Sequence, residues 1–152
     1  MQKELPLSNV ASMQQTDPIK GLGLDLGAEQ KAKLLDLSKA LLQWNKRTNL
    51  ISKSDESRLF SRHIVDSLSA TSFLVGNSIV DIGSGAGLPG LPLAIACPHK
   101  KFTLYERMKK RAHFMQFVIA NLGIDNAQVI EAPFEEMVSK GESFNCVVSR
   151  GV

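Results

Sequence analysis

Apolar residues recur at helical spacing through the first half of the chain. Between Ala28 and Arg47 they repeat at steps of three and four residues while charged residues fall between them, which predicts an amphipathic helix. A second helical pattern covers about residues 55–74 and ends before Gly76. The first 20 residues lack such a period and are predicted to form a loose tail. The apolar positions expected to be buried are Leu34, Leu37, Leu41, Trp44, Leu59, Phe60, Ile64, Leu68 and Phe73.

After Gly76, short apolar runs alternate with helical stretches. The runs predicted to be strands cover residues 78–82, 101–105, 127–130 and 144–149. Between them we expect a glycine loop and helix over 83–97, a helix over 109–122 and a short helix over 134–138. Strands that alternate with helices favour an α/β fold with a parallel sheet and right-handed crossovers. The predicted organisation is a tail over 1–20, a helical extension over 21–77 and an α/β core over 78–152.

The composition is that of an ordinary globular protein. Of the 152 residues, 43% are hydrophobic and 22% are charged, which excludes a disordered, collagen-like or coiled-coil chain. Cys97 and Cys146 lie far apart without a CxxC spacing or a nearby histidine cluster, so neither a disulfide scaffold nor a metal site is predicted. The N-terminal residues lack the apolar core of a secretory signal, and the longest uncharged run is too short to span a bilayer. Cytoplasmic location without membrane attachment is therefore the expectation.

Positive charge is concentrated in one segment, although the formal net charge is only +3. Between His99 and His113 six basic residues stand against one acid, Glu106. Such a cluster is typical of proteins that contact phosphate backbones, and the alternative is a solvated helix face. The basic residues are Lys100, Lys101, Arg107, Lys109, Lys110 and Arg111.

The candidate chemistry is concentrated in a glycine-rich loop that follows the first strand, with glycines at positions 83, 85, 87 and 90. Glycine allows the sharp turns and the close backbone approach that nucleotide ligands need. No Lys-Ser/Thr pair closes the loop, so it is not a phosphate-cradling P-loop. Residues 85–90 do match the GxGxxG pattern of dinucleotide-binding proteins. However, Pro89 and Pro92 remove N–H donors and Asp81 adds a carboxylate, which favours a cationic ligand such as S-adenosylmethionine.

Two further segments could complete a nucleoside site. Glu106 ends the second strand about 20 residues beyond the loop, where an acid commonly accepts hydrogen bonds from ribose hydroxyls. An ion pair of Glu106 with Arg107 or Lys109 is the alternative. After the third strand, Phe134 and Glu135 offer a flat face and a hydrogen-bond acceptor to an adenine, unless Phe134 simply packs in the core.

The sequence also limits the reaction. The Asp/Asn-Pro-Pro-Tyr motif of enzymes that methylate exocyclic amines is absent, and Cys97 lies on the wrong element to attack a pyrimidine carbon. A ring nitrogen such as guanine N7 carries a free lone pair, so its methylation needs mainly proximity and orientation. Arg150 could orient the O6/N7 edge of a guanine or hold the cofactor. No catalytic side chain is assigned.

Several segments together resemble the glucose-inhibited division protein B family, whose members are small-subunit ribosomal RNA guanine-N7 methyltransferases. The resemblance covers about residues 28–150 and rests on the segments WNKRTNL at 44–50, RHIVDSL at 62–68, DIGSGAGLPG at 81–90 and Ser149-Arg150. It implies a class I S-adenosylmethionine-dependent methyltransferase fold, which is Rossmann-like with a parallel sheet, and an N-terminal helical extension. It also implies S-adenosylmethionine as cofactor and small-subunit ribosomal RNA as partner. The family's cofactor contacts fall on Gly83, Leu88, Phe134, Glu135 and Arg150, and the loop-and-strand argument adds Gly85 and Glu106.

The chain departs from the family pattern near its end. The family usually continues Ser-Arg-Ala into further strands, whereas here Gly151 follows Arg150 and the chain stops at Val152. Class I sheets have seven strands and four are predicted here, so we expect an incomplete sheet with an apolar edge at the fourth strand. Two alternatives to an active methyltransferase stay open. One is an NAD-dependent oxidoreductase, and the other is a truncated form that binds cofactor or RNA without turnover.

His63 and Asp66 are three residues apart on the second predicted helix and share a face. They could form a polar link between the helical extension and the site, or a purely structural pair.

Overall fold

The computed structural model describes residues 17–151, and the first long element is a helix that the sequence predicts. Helix α1 spans Ala28–Thr48 and buries Leu34, Leu37 and Leu41 completely. It begins after Gly27, whose N–H donates to the Gln30 side chain at 2.8 Å. It ends at Asn49, whose left-handed φ of 48° turns the chain away.

The second predicted helix is a series of short turns of different pitch. A 3₁₀ turn over Lys53–Arg58 leads into a π-helical turn over Leu59–Ile64, then helix α2 over Val65–Ser69 and a 3₁₀ turn over Ala70–Phe73. Leu59, Ile64 and Leu68 are buried as predicted, whereas Phe60 is half-buried. The prediction for Phe73 is wrong, since this residue is 78% exposed. A period of 3.6 residues cannot be carried through turns with other periods, so the last apolar position rotates off the buried face.

The second half of the chain is a parallel α/β sheet, as predicted. Its strands and helices in chain order are β1 Ser78–Ile82, α3 Gly90–Ala96, β2 Lys101–Tyr105, α4 Lys109–Leu122, β3 Ala127–Ile130, α5 Glu135–Ser139 and β4 Cys146–Ser149. The sheet order is β3-β2-β1-β4 with every neighbouring pair parallel. Strand β4 begins two residues later than predicted, and α5 lies one residue further along the chain than predicted. Phe144 packs against a small cluster on one sheet face, and the Asn145 carboxamide accepts hydrogen bonds from Asn77 and Ser78 N–H.

The strand register aligns the carboxyl ends of the four strands. Ile82 pairs with Tyr105 on one side and Ser149 on the other, and Tyr105 pairs with Ile130. The residues that follow each strand therefore lie side by side along one edge of the sheet. In order across the sheet they are Glu131, Glu106, Gly83 and Arg150.

The helical extension and one face of the sheet share a single hydrophobic core. Leu37 and Leu68 of the extension belong to the same buried cluster as Ile79 and Phe102 of the sheet. Ile19 is also buried in it, so packing begins within the predicted 1–20 tail. Residues 1–16 of that tail lie outside the described residues. Within residues 17–151, no helix is both long and apolar enough to cross a membrane.

Replacing Leu68 tests this shared core. Leu68 is 1% exposed, and we expect Leu68→Ala to lower the free energy of unfolding by about 2–5 kcal/mol because it leaves a cavity. Phe73→Ala removes an exposed side chain and should cost less than about 1 kcal/mol. Urea unfolding followed by Trp44 fluorescence reports on the contact of α1 with Phe114 in α4. Equal losses in the two variants would contradict the assigned burial.

Candidate cofactor-binding site

The glycine loop connects β1 to α3 with repeated left-handed backbone turns. Gly83, Gly85 and Gly87 have φ angles of 64°, 58° and 84°. A Cβ at Gly87 would lie 2.4 Å from Leu91, so packing requires glycine there. A Cβ at Gly85 would meet nothing closer than the Gly83 carbonyl oxygen at 3.9 Å. The Gly85 side of the loop is therefore open to a ligand.

Asp81 supports the loop from inside the protein. Its side chain is fully buried, and its Oδ2 accepts a hydrogen bond from the Gly90 N–H at 2.9 Å. Its backbone carbonyl accepts one from Ser84 Oγ at 3.1 Å. The sequence predicts this carboxylate beside a cationic ligand. The structure instead places it behind the loop, where it holds the first residue of α3.

Burial changes the ionisation of Asp81. Loss of solvation and, to a smaller extent, the negative charge of Glu106 raise the pKa of Asp81 to about 7, against the opposing effect of the hydrogen bond from the Gly90 N–H. Oδ1 has no hydrogen-bond partner within residues 17–151. The loop therefore rests on a carboxyl group that takes up a proton near neutral pH.

Glu106 lies where the sequence predicts it, at the end of β2 beside the loop. It is 4% exposed, and its two oxygens accept hydrogen bonds from the N–H groups of Gly85 and Met108, each at 2.8 Å. None of the ion pairs among residues 17–151 involves Glu106, so pairing with Arg107 or Lys109 is not seen. A carboxylate has about four acceptor positions, of which two are used here. The remaining positions fit the two hydroxyls of a ribose, so the residues present suit an adenosyl cofactor.

The other predicted contact residues differ in what they expose. The Leu88 side chain is buried in the main core, so only its backbone is available to a ligand. Phe134 is half-buried and packs on the opposite sheet face against a cluster that includes Tyr105 and Ile82. Glu135 is exposed at the start of α5. Glu131, an exposed acid directly after β3, was not among the predicted site residues. Its position after a strand, like that of Glu106, is the signal that could have found it.

Arg150 contacts the helical extension. Its Nη2 lies 2.7 Å from Nδ1 of His63, and Nε2 of His63 lies 3.4 Å from Oδ1 of Asp55. A polar link between the extension and the site is therefore present. The carboxylate in it is Asp55 and not the sequence-predicted Asp66, which is exposed. The 3₁₀ and π-helical turns between residues 53 and 64 bring Asp55 to His63, and helical spacing does not predict such a contact.

The basic segment is divided between opposite edges of the sheet. Lys100 precedes β2 and Lys101 begins it. The Lys100 Nζ donates to the Gly76 carbonyl oxygen. The other four basic residues follow β2 beside the loop. A five-residue strand at about 3.3 Å per residue separates the two groups by roughly 16 Å. The predicted single cluster is therefore wrong, and only Arg107, Lys109, Lys110 and Arg111 lie next to the candidate site.

A large cavity opens at the other edge of the sheet and is not part of this site. It has a volume of about 1210 Å³ and is lined by the amino ends of β1 and β2 and by Asn126. The Asn126 amide nitrogen donates to the carbonyl oxygens of Ala94, Cys97 and Lys100. Its hydrogen bonds serve the local fold, whereas ligands of open parallel sheets bind at the carboxyl ends of the strands.

The arrangement defines a Rossmann-like α/β protein whose glycine loop and Glu106 lie at the carboxyl ends of the strands, the edge where open parallel sheets bind their ligands. Residues 30–152 match the family model described as rRNA small subunit methyltransferase G. The chain belongs to this family. This result confirms the resemblance and, together with the parallel sheet, the predicted class of fold.

Curated relatives agree with this assignment. A ribosomal RNA small subunit methyltransferase G from Shewanella piezotolerans is 42% identical over 129 residues, which cover 85% of this chain and 62% of the relative. The protein of the same name from Alteromonas mediterranea is 38% identical, and the alignment covers 87% of this chain and 62% of the relative. The one from Methylobacillus flagellatus is 41% identical, and the alignment covers 82% of this chain and 65% of the relative. The chain thus spans less than two thirds of the length of these relatives.

The buried Asp81 predicts how stability depends on pH. Its folded pKa of about 7 lies above the unfolded value of about 3.9, so the folded state binds more protons between these values. Stability should therefore fall as pH rises from about 4 to 7 and level off above. Asp81→Asn should remove this decrease and be more stable than wild type at pH 8. Urea unfolding at about pH 4 and at pH 8 measures both effects. The control Asp36→Asn, at an exposed position, should keep the wild-type profile. A wild-type pH profile in Asp81→Asn would contradict the assignment.

Proposed function

We propose that this chain binds S-adenosylmethionine at the glycine loop and transfers its methyl group to N7 of a guanine in small-subunit ribosomal RNA. The family assignment supports methyl transfer to this RNA. The observation that carries the cofactor site is the hydrogen bond between Gly85 and Glu106, which puts an acceptor pair at the open side of the loop.

An acidic and a basic side chain at the sheet edge match the ribose hydroxyls and the carboxylate of the cofactor. Glu106 and Arg150 lie on the two sides of Gly83. Glu106 would accept hydrogen bonds from the ribose hydroxyls, and Arg150 would pair with the methionyl carboxylate. Gly83, Gly85 and Leu88 would contribute backbone atoms. Phe134 would supply an apolar surface for the adenine and Glu135 an acceptor for its amino group.

The chemistry requires little from the side chains beyond positioning. When bound, S-adenosylmethionine supplies an electrophilic methyl group, and its sulfur keeps the electron pair of the broken bond. Guanine N7 attacks with its own lone pair and carries no proton to remove. Holding the two reactants in line is therefore the main task of the protein, and the reaction requires no general base.

The basic group after β2 supports an RNA partner. Arg107, Lys109 and Lys110 are exposed, Arg111 is half-buried, and none of them forms an ion pair within the described residues. Lys109, Lys110 and Arg111 form the first turn of α4, where positive charge opposes the helix dipole by about 0.3–1 kcal/mol per residue. A phosphate backbone beside this turn would relieve the repulsion.

The hydrogen bond at the start of α3 argues against the NAD-dependent alternative. A dinucleotide pyrophosphate binds to free N–H groups at the helix N-terminus that follows the loop. Here the Gly90 N–H already donates to the carboxylate of Asp81. The chain spans 62% of the length of two of its relatives, and a transfer assay separates methyl transfer from binding without turnover.

Incubation with methyl-labelled S-adenosylmethionine and small-subunit ribosomal RNA tests the function. We expect label at N7 of a guanine, read by base-specific cleavage of the RNA. Cofactor binding without transfer would favour the form without turnover. Absence of both cofactor binding and transfer would contradict the proposal.

Glu106 provides a prediction for the cofactor site. Glu106→Gln keeps the shape but replaces a charged acceptor pair by a single carbonyl oxygen, so S-adenosylhomocysteine should bind at least about tenfold more weakly. Isothermal titration measures the change. Glu29→Gln alters an exposed acid of α1 and should bind like wild type. Unchanged affinity in Glu106→Gln would show that this acid does not contact the ribose.

The basic group provides a prediction for the RNA. Lys109→Ala combined with Lys110→Ala should reduce the slope of RNA affinity against salt concentration by about two phosphate contacts and leave cofactor affinity unchanged. Filter binding at several salt concentrations gives the slope. Lys101→Ala, at the other edge of the sheet, is the control. An equal effect of the control would indicate general attraction to charge.

A further inference from the structure

We propose that His63 is a positioning residue that holds the Arg150 guanidinium at the edge of the cofactor site by accepting its hydrogen bond. This inference rests on the proposed function, in which Arg150 contacts the cofactor. It gives the helical extension a direct part in cofactor binding, since His63 belongs to the extension and Arg150 directly follows β4.

The geometry defines the state of the His63 ring. An arginine guanidinium only donates hydrogen bonds, so the 2.7 Å contact requires an unprotonated Nδ1 and places the ring proton on Nε2. Nε2 faces Oδ1 of Asp55 at 3.4 Å. The other oxygen of Asp55 accepts a hydrogen bond from Ser52 Oγ at 2.6 Å, which keeps the pKa of Asp55 below its ordinary value. Nε2 makes no hydrogen bond within the described residues, and the Asp55 carboxylate attracts the N–H on that side of the ring by its charge.

The neutrality of the ring explains why a histidine suits this position. A carboxylate partner would hold the guanidinium but cancel much of its charge, and a neutral acceptor does not. No ion pair within residues 17–151 involves Arg150, so its full positive charge remains for an anionic ligand. One of its five N–H donors is used by His63, which leaves donors for a carboxylate.

The local structure holds both ends of this contact. The His63 side chain is only 13% exposed and lies in the π-helical turn over Leu59–Ile64. On the other side, Ser149 pairs with Ile82 in the sheet, and its Oγ donates to the Ile82 carbonyl oxygen at 3.2 Å. Arg150 itself is exposed and has a long side chain. The hydrogen bond to His63 therefore removes freedom that cofactor binding would otherwise have to remove.

A set of variants tests the role through binding of S-adenosylhomocysteine to the whole chain. We expect His63→Leu to weaken binding about tenfold, whereas His63→Asn, whose Oδ1 can replace Nδ1 as acceptor, should stay within about threefold of wild type. In an Arg150→Leu background, His63→Leu should cause no further loss. His99→Leu changes an exposed histidine at the opposite edge of the sheet and should bind like wild type. Thermal unfolding of each variant separates binding from stability.

Two outcomes of the binding series would overturn the inference. One is wild-type affinity in His63→Leu. The other is an equal loss on His63→Leu with and without Arg150, which would mean that His63 acts on the fold and not through Arg150. If wild type itself does not bind S-adenosylhomocysteine, the proposed function fails. Results from the His63 variants bear only on the role of His63, so the two failures can be distinguished.

A second readout needs no ligand. In nitrogen-15 NMR of the free chain, the His63 ring should show an unprotonated Nδ1 whose resonance shifts in Arg150→Leu and stays in place in His99→Leu. A protonated Nδ1 at pH 8, or a resonance that Arg150→Leu leaves unchanged, would overturn the contact on which the inference rests.

Discussion

The arrangement of the site depends on two buried carboxylates that hold the backbone of the glycine loop. Asp81 fixes the loop at its far end through the Gly90 N–H, and Glu106 fixes it at its middle through the Gly85 N–H. A loop of left-handed glycines has no side chains of its own to set its shape, so these two bonds define where its open side faces. The cost is two acids close together in a poorly solvated region, which is seen in the raised pKa of Asp81.

The strand register converts this loop into a site with two different ends. Because Ile82 pairs with Tyr105 and Ser149, the acidic Glu106 and the basic Arg150 follow their strands on opposite sides of Gly83. The acid serves both the loop and the proposed ribose contact. The Arg150 guanidinium contacts His63 of the helical extension. The extension shares the core of the sheet, so the fold and the proposed cofactor site depend on the same packing.

Most of the fold could be predicted from the sequence because its elements are short and clearly bounded. β1, β2, β3 and α4 have the predicted limits, since the three strands are mainly apolar runs followed by a glycine or a glutamate, and the helix is followed by Gly123. The predictions that were wrong concern features with no local period. Phe73 lies beyond turns of changing pitch, and the basic residues are contiguous in sequence although a strand separates them in space. The contact of Asp55 with His63 depends on an irregular segment that helical spacing does not describe.

We propose that the glycine loop binds a cationic adenosyl cofactor and not a dinucleotide. Parallel isothermal titrations of the chain with S-adenosylmethionine and with NAD test it most directly, because both ligands contain an adenosine and only one contains a pyrophosphate. We expect saturable binding of S-adenosylmethionine at one site and no heat above dilution with NAD. Binding of NAD without binding of S-adenosylmethionine would contradict it.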